Sequence, residues 1–141
     1  MRIFLYIALV SLIGFPAHAS NAARLNVYGV WLTNGGNSKV EIVDCGDATP
    51  CGSVVWIDDP APELLRDAEN PNAALRDRPL LALIVLGGFR AKKDQWKKGK
   101  IYDPETGTTY GSKLRRRDDG TLEVKGCLGP ICQTRIWTPA E

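Results

Sequence analysis

Residues 95–127 read QWKKGKIYDPETGTTYGSKLRRRDDGTLEVKGC, and the fold is decided in this stretch. Gln95 to Tyr102 and Thr108 to Arg116 flank Asp103-Pro104-Glu105-Thr106-Gly107, with Pro and Gly placed as a tight turn demands. A second hairpin follows: Thr108 to Arg116, the turn Asp118-Asp119-Gly120, then Thr121 to Cys127. In that last strand Leu122 and Val124 point one way, Glu123 and Lys125 the other.

The same punctuation extends outward in both directions. Tyr28 to Thr33 begins the domain, and Asn34-Gly35-Gly36-Asn37 turns the chain back. Lys39 to Asp44 alternates polar and apolar residues as a half-buried strand does, and Gly52 to Asp58 is its expected partner. Leu80 to Leu86, the most apolar run after the leader, reads as a strand buried on both sides and ended by Gly87-Gly88. Cys132 to Thr138 is the last strand. Residues 59–79 break the pattern with four prolines, Pro60, Pro62, Pro71 and Pro79; within this longest connection Asn70-Pro71 could start one short helical turn through Leu75.

About eight strands at hairpin spacing predict an all-β, small antiparallel up-and-down barrel, because closure removes the exposed edges an open sheet would carry. An open sandwich is the alternative. Interior positions are expected at Trp31, Val40, Ile42, Val54, Trp56, Leu83, Val85, Ile101, Tyr110, Leu122, Val124 and Trp137.

Composition sets limits on function. A chain of 141 residues holds one domain, and 18 basic against 16 acidic residues leave a net +2, too little to argue for nucleic acid. Residues 1–19 have the three parts of a secretory signal: Met1-Arg2, an apolar run from Ile3 to Phe15, and Pro16-Ala17-His18-Ala19 with small residues before Ser20. The apolar run is shorter than the roughly 20 residues that span a bilayer, so no stable membrane insertion is expected. The domain proper is residues 20–141. Cleavage before Ser20 removes His18, the only histidine. The mature chain then has no imidazole for a Ser-His-Asp triad, a Cys-His pair or a histidine metal site.

Four cysteines remain, Cys45, Cys51, Cys127 and Cys132. An even number in an exported domain reads as two disulfides, and each of the pairs Cys45–Cys51 and Cys127–Cys132 flanks a turn segment. A zinc site of four thiolates is the competing reading, with spacings looser than usual.

Several phrases together resemble a known family. They are Gly29-Val30-Trp31, Val40-Glu41-Ile42 with Cys45-Gly46, and Cys51-Gly52-Ser53-Val54-Val55-Trp56 in the first half. Asn70-Pro71-Asn72, Arg76-Asp77-Arg78-Pro79-Leu80 and Leu86-Gly87-Gly88-Phe89 follow, then residues 96–110, Gly126-Cys127 and Gln133-Thr134-Arg135-Ile136-Trp137. In this order they resemble the uncharacterised exported bacterial family called domain of unknown function twenty-one forty-seven. The resemblance implies a calycin-type, lipocalin-like barrel in the bacterial envelope, most simply the periplasm, and no established reaction.

The candidate site residues each have a second reading. Trp31, Trp56, Trp96 and Trp137 line an apolar cavity or simply fill the core. Arg76 and Arg78, with Asn70 and Asp77, offer forked donors for a carboxylate or phosphate, or else pair with Asp77 or Asp67 and pin the long connection across the barrel mouth. Tyr102 and Tyr110 flank the turn at Asp103. The lysines at 92, 93, 97, 98 and 100 and Arg115-Arg116-Arg117 read as a solvated basic face, since Asp118 and Asp119 follow at once. Asp58-Asp59 and Asp118-Asp119 sit at turns and do not make a glycosidase pair. No phosphate-cradling or dinucleotide motif occurs. The expectation is a non-catalytic barrel, with no cofactor and no metal, that binds a small lipophilic or amphipathic ligand. The alternative is a protein-interaction module for envelope assembly or stress response that uses the 59–79 connection.

Overall fold

The computed structural model describes residues 14–15, 20–58 and 65–140. The secretory-type segment, apart from residues 14 and 15, and residues 59–64 of the long connection lie outside the described residues.

A short helix, α1 (Asn21–Leu25), is capped by the Ser20 hydroxyl, which accepts from the Ala23 amide at 3.2 Å. Nine strands follow among the described residues: β1 (Gly29–Leu32), β2 (Ser38–Asp44), β3 (Pro50–Ile57), β4 (Ile84–Gly87), β5 (Arg90–Lys92), β6 (Gln95–Asp103), β7 (Thr108–Arg116), β8 (Leu122–Leu128) and β9 (Ile131–Pro139). The order around the sheet is β4-β3-β2-β1-β9-β8-β7-β6-β5. Pairing of β4 with β6 at Leu86↔Ile101 and Gly87↔Lys100 closes eight of the strands into an antiparallel barrel, with β5 as an extra strand beside β6.

Local chemistry explains the turns. Between β7 and β8 the Gly120 amide donates to the Arg117 carbonyl at 3.0 Å, and Gly120 takes φ +84°, closing a type I turn with a glycine bulge. Between Trp96 and Gly99 the β6–β7 register slips by one residue. The extra residue is absorbed as a bulge with Lys98 at φ +60°. Phe89, buried at the break between β4 and β5, packs its ring over Gly99, where a Cβ would overlap it.

Antiparallel order puts the β2–β3, β5–β6 and β7–β8 turns at one end of the barrel and the β1–β2, β3–β4, β6–β7 and β8–β9 connections at the opposite end, while β5 continues in the direction of β4 along β6. The first end is plugged. The segment 20–27 lies against β6 and β7: the Trp96 indole donates to the Leu25 carbonyl at 2.8 Å, and the Trp31 indole to the Val27 carbonyl at 2.9 Å. Arg24 pairs with Asp94 at 3.0 Å. Val27, Trp31, Ile42, Leu114 and Leu122, all nearly inaccessible, form the packed floor above this plug.

Three details differ from expectation. The Leu80–Leu86 run is not one buried strand: Ala82 turns at φ +68°, Leu81 and Ile84 face solvent, and the strand starts only at Ile84. The helical turn is a single 3-10 turn, Ala73–Leu75, capped by Asn72 and not by Asn70. Trp56 lies outside the barrel, its ring under the Lys39 ammonium at 5.3 Å. A bulge opposite Lys39 and Val40 inserts Val55, so Trp56 pairs with outward-facing Lys39.

Cys45 is joined to Cys51 and Cys127 to Cys132, with Cα atoms 5.2 and 4.0 Å apart. The first bridge closes the β2–β3 turn at the plugged end and the second the β8–β9 turn at the other. Four thiolates held at opposite ends cannot share one ion, and among the described residues no group of three or more His, Cys, Asp or Glu could hold a metal.

Candidate functional site

Above the floor the barrel is hollow. A cavity of about 870 Å³ opens at the end opposite α1. Its wall is apolar: Val40 from β2, Val54 from β3, Val85 from β4, Ile101 from β6, Val124 from β8 and Trp137 from β9. These positions follow from the period of two, which sends alternate residues of each strand inward. Gly126 on β8 leaves room there; the nearest neighbours of a Cβ at this position would be Tyr110 and Ile101, at ordinary contact distances. An eight-stranded barrel has space for one small ligand, and this volume lies within the range of small-molecule pockets.

The rim is mixed. The β8–β9 tip contributes Leu128 and Ile131, both exposed and clamped by the Cys127–Cys132 bridge. Asp58, Glu69, Asp103 and Glu105 place carboxylates on the other side, with Arg66 near them. Asp103 is occupied by its own turn, accepting from the Glu105 amide at 2.9 Å and the Thr106 hydroxyl at 3.2 Å.

The long connection crosses the rim and is latched to β6. Asp67, with no accessible surface, accepts from the Tyr102 phenol, from Asn70 Nδ2 at 2.7 Å and from Arg78 Nε at 2.7 Å. Burial would raise the Asp67 carboxyl, but the three donors and the Arg78 charge outweigh it and hold it below the ordinary carboxylate value. Burial, the hydrogen bond to Asp67 and the Asp67 charge push the Tyr102 phenol up to about 12. Arg76 Nε donates to the Asn70 carbonyl at 2.8 Å, which fixes the turn that carries Asn70. The second attachment is Gly107, at φ +69°, where any Cβ would overlap the Glu69 carbonyl oxygen.

Of the residues singled out from sequence, Tyr102, Tyr110 and Trp137 line the cavity together. Trp31 and Trp96 belong to the floor and plug, and Trp56 stands on the outer wall. Arg76 and Arg78 are engaged within the connection, Arg78 on Asp67 and Arg76 on the Asn70 carbonyl. The other lining residues are not among the candidates, and two of them, Gln133 and Arg135 on β9, are polar side chains on the barrel wall itself. The signal for them was the alternation that ends at Trp137, since residues two and four positions before an inward Trp share its face.

No curated protein matches the chain. Among solved structures it is similar to protein HP1028 from the human pathogen Helicobacter pylori, described as belonging to the lipocalin family. The two share 22% identity and a TM-score of 0.71 over 83% of this chain and 84% of that one. At that identity the likeness concerns the fold: both are lipocalin-like barrels. The profile of an uncharacterised protein family conserved in bacteria, DUF2147, matches residues 29–139, from the first residue of β1 to the last of β9. The chain belongs to the DUF2147 family.

Proposed function

We propose that this protein is an exported, non-catalytic carrier or sensor that holds one small lipophilic or amphipathic molecule inside its barrel in the bacterial envelope. The observation that carries the reading is the apolar cavity of about 870 Å³, plugged by α1 at one end and open at the other. A side-chain-filled barrel would need no such space. The secretory-type segment before Ser20 and the two disulfides support an oxidising, extracytoplasmic site of action. No helix among the described residues is long and apolar enough to cross a membrane. The interaction-module reading draws less support, because Arg78 and Asn70 of the crossing connection are already committed to Asp67.

Native mass spectrometry of the protein purified from its own envelope fraction tests the proposal. A reproducible adduct of small-molecule mass that vanishes on organic extraction is the expected result. Protein of bare-chain mass under every mild condition, together with no uptake of added lipophilic probes, would count against it.

A further inference from the structure

β9 has a neighbour on both sides only at its lower end. It pairs with β8 from Leu128↔Ile131 down to Leu122↔Trp137, but with β1 only at Trp31↔Pro139 and Leu32↔Thr138. β1 ends at Leu32, and the Thr33 amide donates to the Ser38 carbonyl as the chain turns back. Between residues 131 and 137 the wall therefore has a lateral slot. Thr33, Asn37 and Ser38 line the cavity on one side of it, Gln133 and Arg135 on the other.

Among the described residues two cations line the cavity, Arg66 and Arg135. Arg66 pairs with Asp77 at 3.3 Å. Arg135 has no carboxylate in range among the described residues; its Nη2 donates to the neutral Gln133 Oε1 at 3.0 Å. A guanidinium offers five N–H donors in a planar fork; Arg135 is exposed, so with one neutral protein acceptor its other donors face solvent, where an oxyanion can take the place of water. The rim carboxylates do not supply it. They belong to the end of β3, the crossing connection and the β6–β7 turn, separated from β9 by β1 and β2 one way round and by β8 and β7 the other. The cavity is thus polarised: carboxylates on the far rim, an open guanidinium at the slot, and Val40, Val54, Val85 and Ile101 between them.

Resting on the binding reading above, we infer that the ligand is an amphipathic anion whose headgroup, a carboxylate or similar flat oxyanion, sits at the β9 slot on Arg135 and Gln133. Its apolar tail runs into the barrel. Arg135 matches such a group in charge and in fork geometry, and Gln133, itself oriented by Arg135, adds an amide donor.

Displacement of a bound neutral fluorophore, N-phenylnaphthylamine, by three ligands of one chain length tests this: dodecanoate, dodecanol and dodecylamine. Dodecanoate is expected to displace at a concentration about ten- to a hundredfold lower than dodecanol. Arg135→Met should bring that ratio close to one, and Arg135→Glu should turn the preference toward dodecylamine, while Lys113→Met on the outer wall keeps the wild-type ratio. Circular dichroism confirms that each variant is folded. Equal displacement by acid and alcohol in the wild type, or an acid preference that survives in Arg135→Met, overturns the headgroup assignment and leaves the cavity reading standing. Failure of the fluorophore and all three ligands to bind overturns both.

Discussion

The phenol of Tyr102, on the barrel wall, donates to the carboxylate of Asp67, on the connection that crosses the mouth. This bond joins two elements 35 residues apart in sequence, and Asn70 and Arg78 complete the ring of donors around the same carboxylate. The guanidinium of Arg78 also lies over the Tyr102 ring, 5.8 Å from its centre. The latch holds residues 66–69 and Leu80 of the connection at the rim of the open cavity, so it is the natural place to perturb the protein without touching the lumen wall opposite.

Tyr102→Phe keeps the ring and removes the donor. A buried carboxylate that loses one partner costs about 1–3 kcal/mol, and urea denaturation should show a loss of that size. Hydrogen exchange should speed up in residues 67–78 while the β7–β8 ladder keeps its protection. Uniform acceleration across the barrel would mean that the connection is not a separate latch.

The pH dependence follows from the same pair. Asp67 is held below its ordinary value, so the unfolded chain takes up its proton first as pH falls, and the latch stabilises fully only above about 4. Its contribution is lost as pH drops through the lower, folded value. Tyr102 is raised to about 12, so the unfolded chain releases its proton first, from about pH 10 upward. Stability should decline between those two values as pH rises. In Tyr102→Phe the alkaline decline should be shallower, though not flat, because burial and the Asp44 and Asp47 charges raise Tyr28 too. An unchanged alkaline limb would contradict the assignment.

Gly107→Ala and Gly120→Ala separate backbone strain from collision. Both glycines have positive φ, +69° and +84°, but a Cβ at Gly120 meets open space while one at Gly107 meets the Glu69 carbonyl. Gly120→Ala should cost about 1–2 kcal/mol, the penalty of a left-handed alanine. Gly107→Ala should cost clearly more and release the crossing connection, read as faster proteolysis within it. Equal costs would show that the contact with Glu69 is slack.

The two bridges close short loops, and the chain-entropy argument assigns each about 2 kcal/mol. Cys45→Ser/Cys51→Ser and Cys127→Ser/Cys132→Ser should therefore lower stability by similar amounts, additively because they sit at opposite ends. Zinc added to reduced protein should restore none of it. Recovery of stability with zinc would revive a shared thiolate site.

Much of the barrel was legible because alternation and turn chemistry agreed. Thr108–Arg116 has the same ends in the structure as in the sequence reading, since Gly107 and Arg117-Asp118-Asp119-Gly120 punctuate it on both sides. Where that agreement lapses, the reading fails for identifiable reasons. β5 is three exposed residues with no apolar alternation, and α1 is five residues with none buried, so neither carries a periodic signal. An unbroken period of two puts Trp56 inward with Val54, and the inserted Val55 moves it out. The sequence of the connection allows Arg78 either to face a ligand or to pair with Asp67, and only tertiary contact of Asp67 with Tyr102 on a distant strand selects the pair. Arg135 was hidden by its charge: a guanidinium on an inward face contradicts the habit of filling barrels with apolar residues, although Trp137 had fixed the face.

The central claim is that the lumen is an occupied binding site, and Gly126→Leu examines it most directly. Gly126 lines the cavity with an ordinary φ, so a leucine there projects into the void without straining the backbone or the floor. In a fluorescence titration with N-phenylnaphthylamine, the wild-type barrel should bind saturably and Gly126→Leu should bind at least about tenfold more weakly at unchanged thermal stability. Undiminished binding by the filled variant would place the probe elsewhere on the surface and contradict the account.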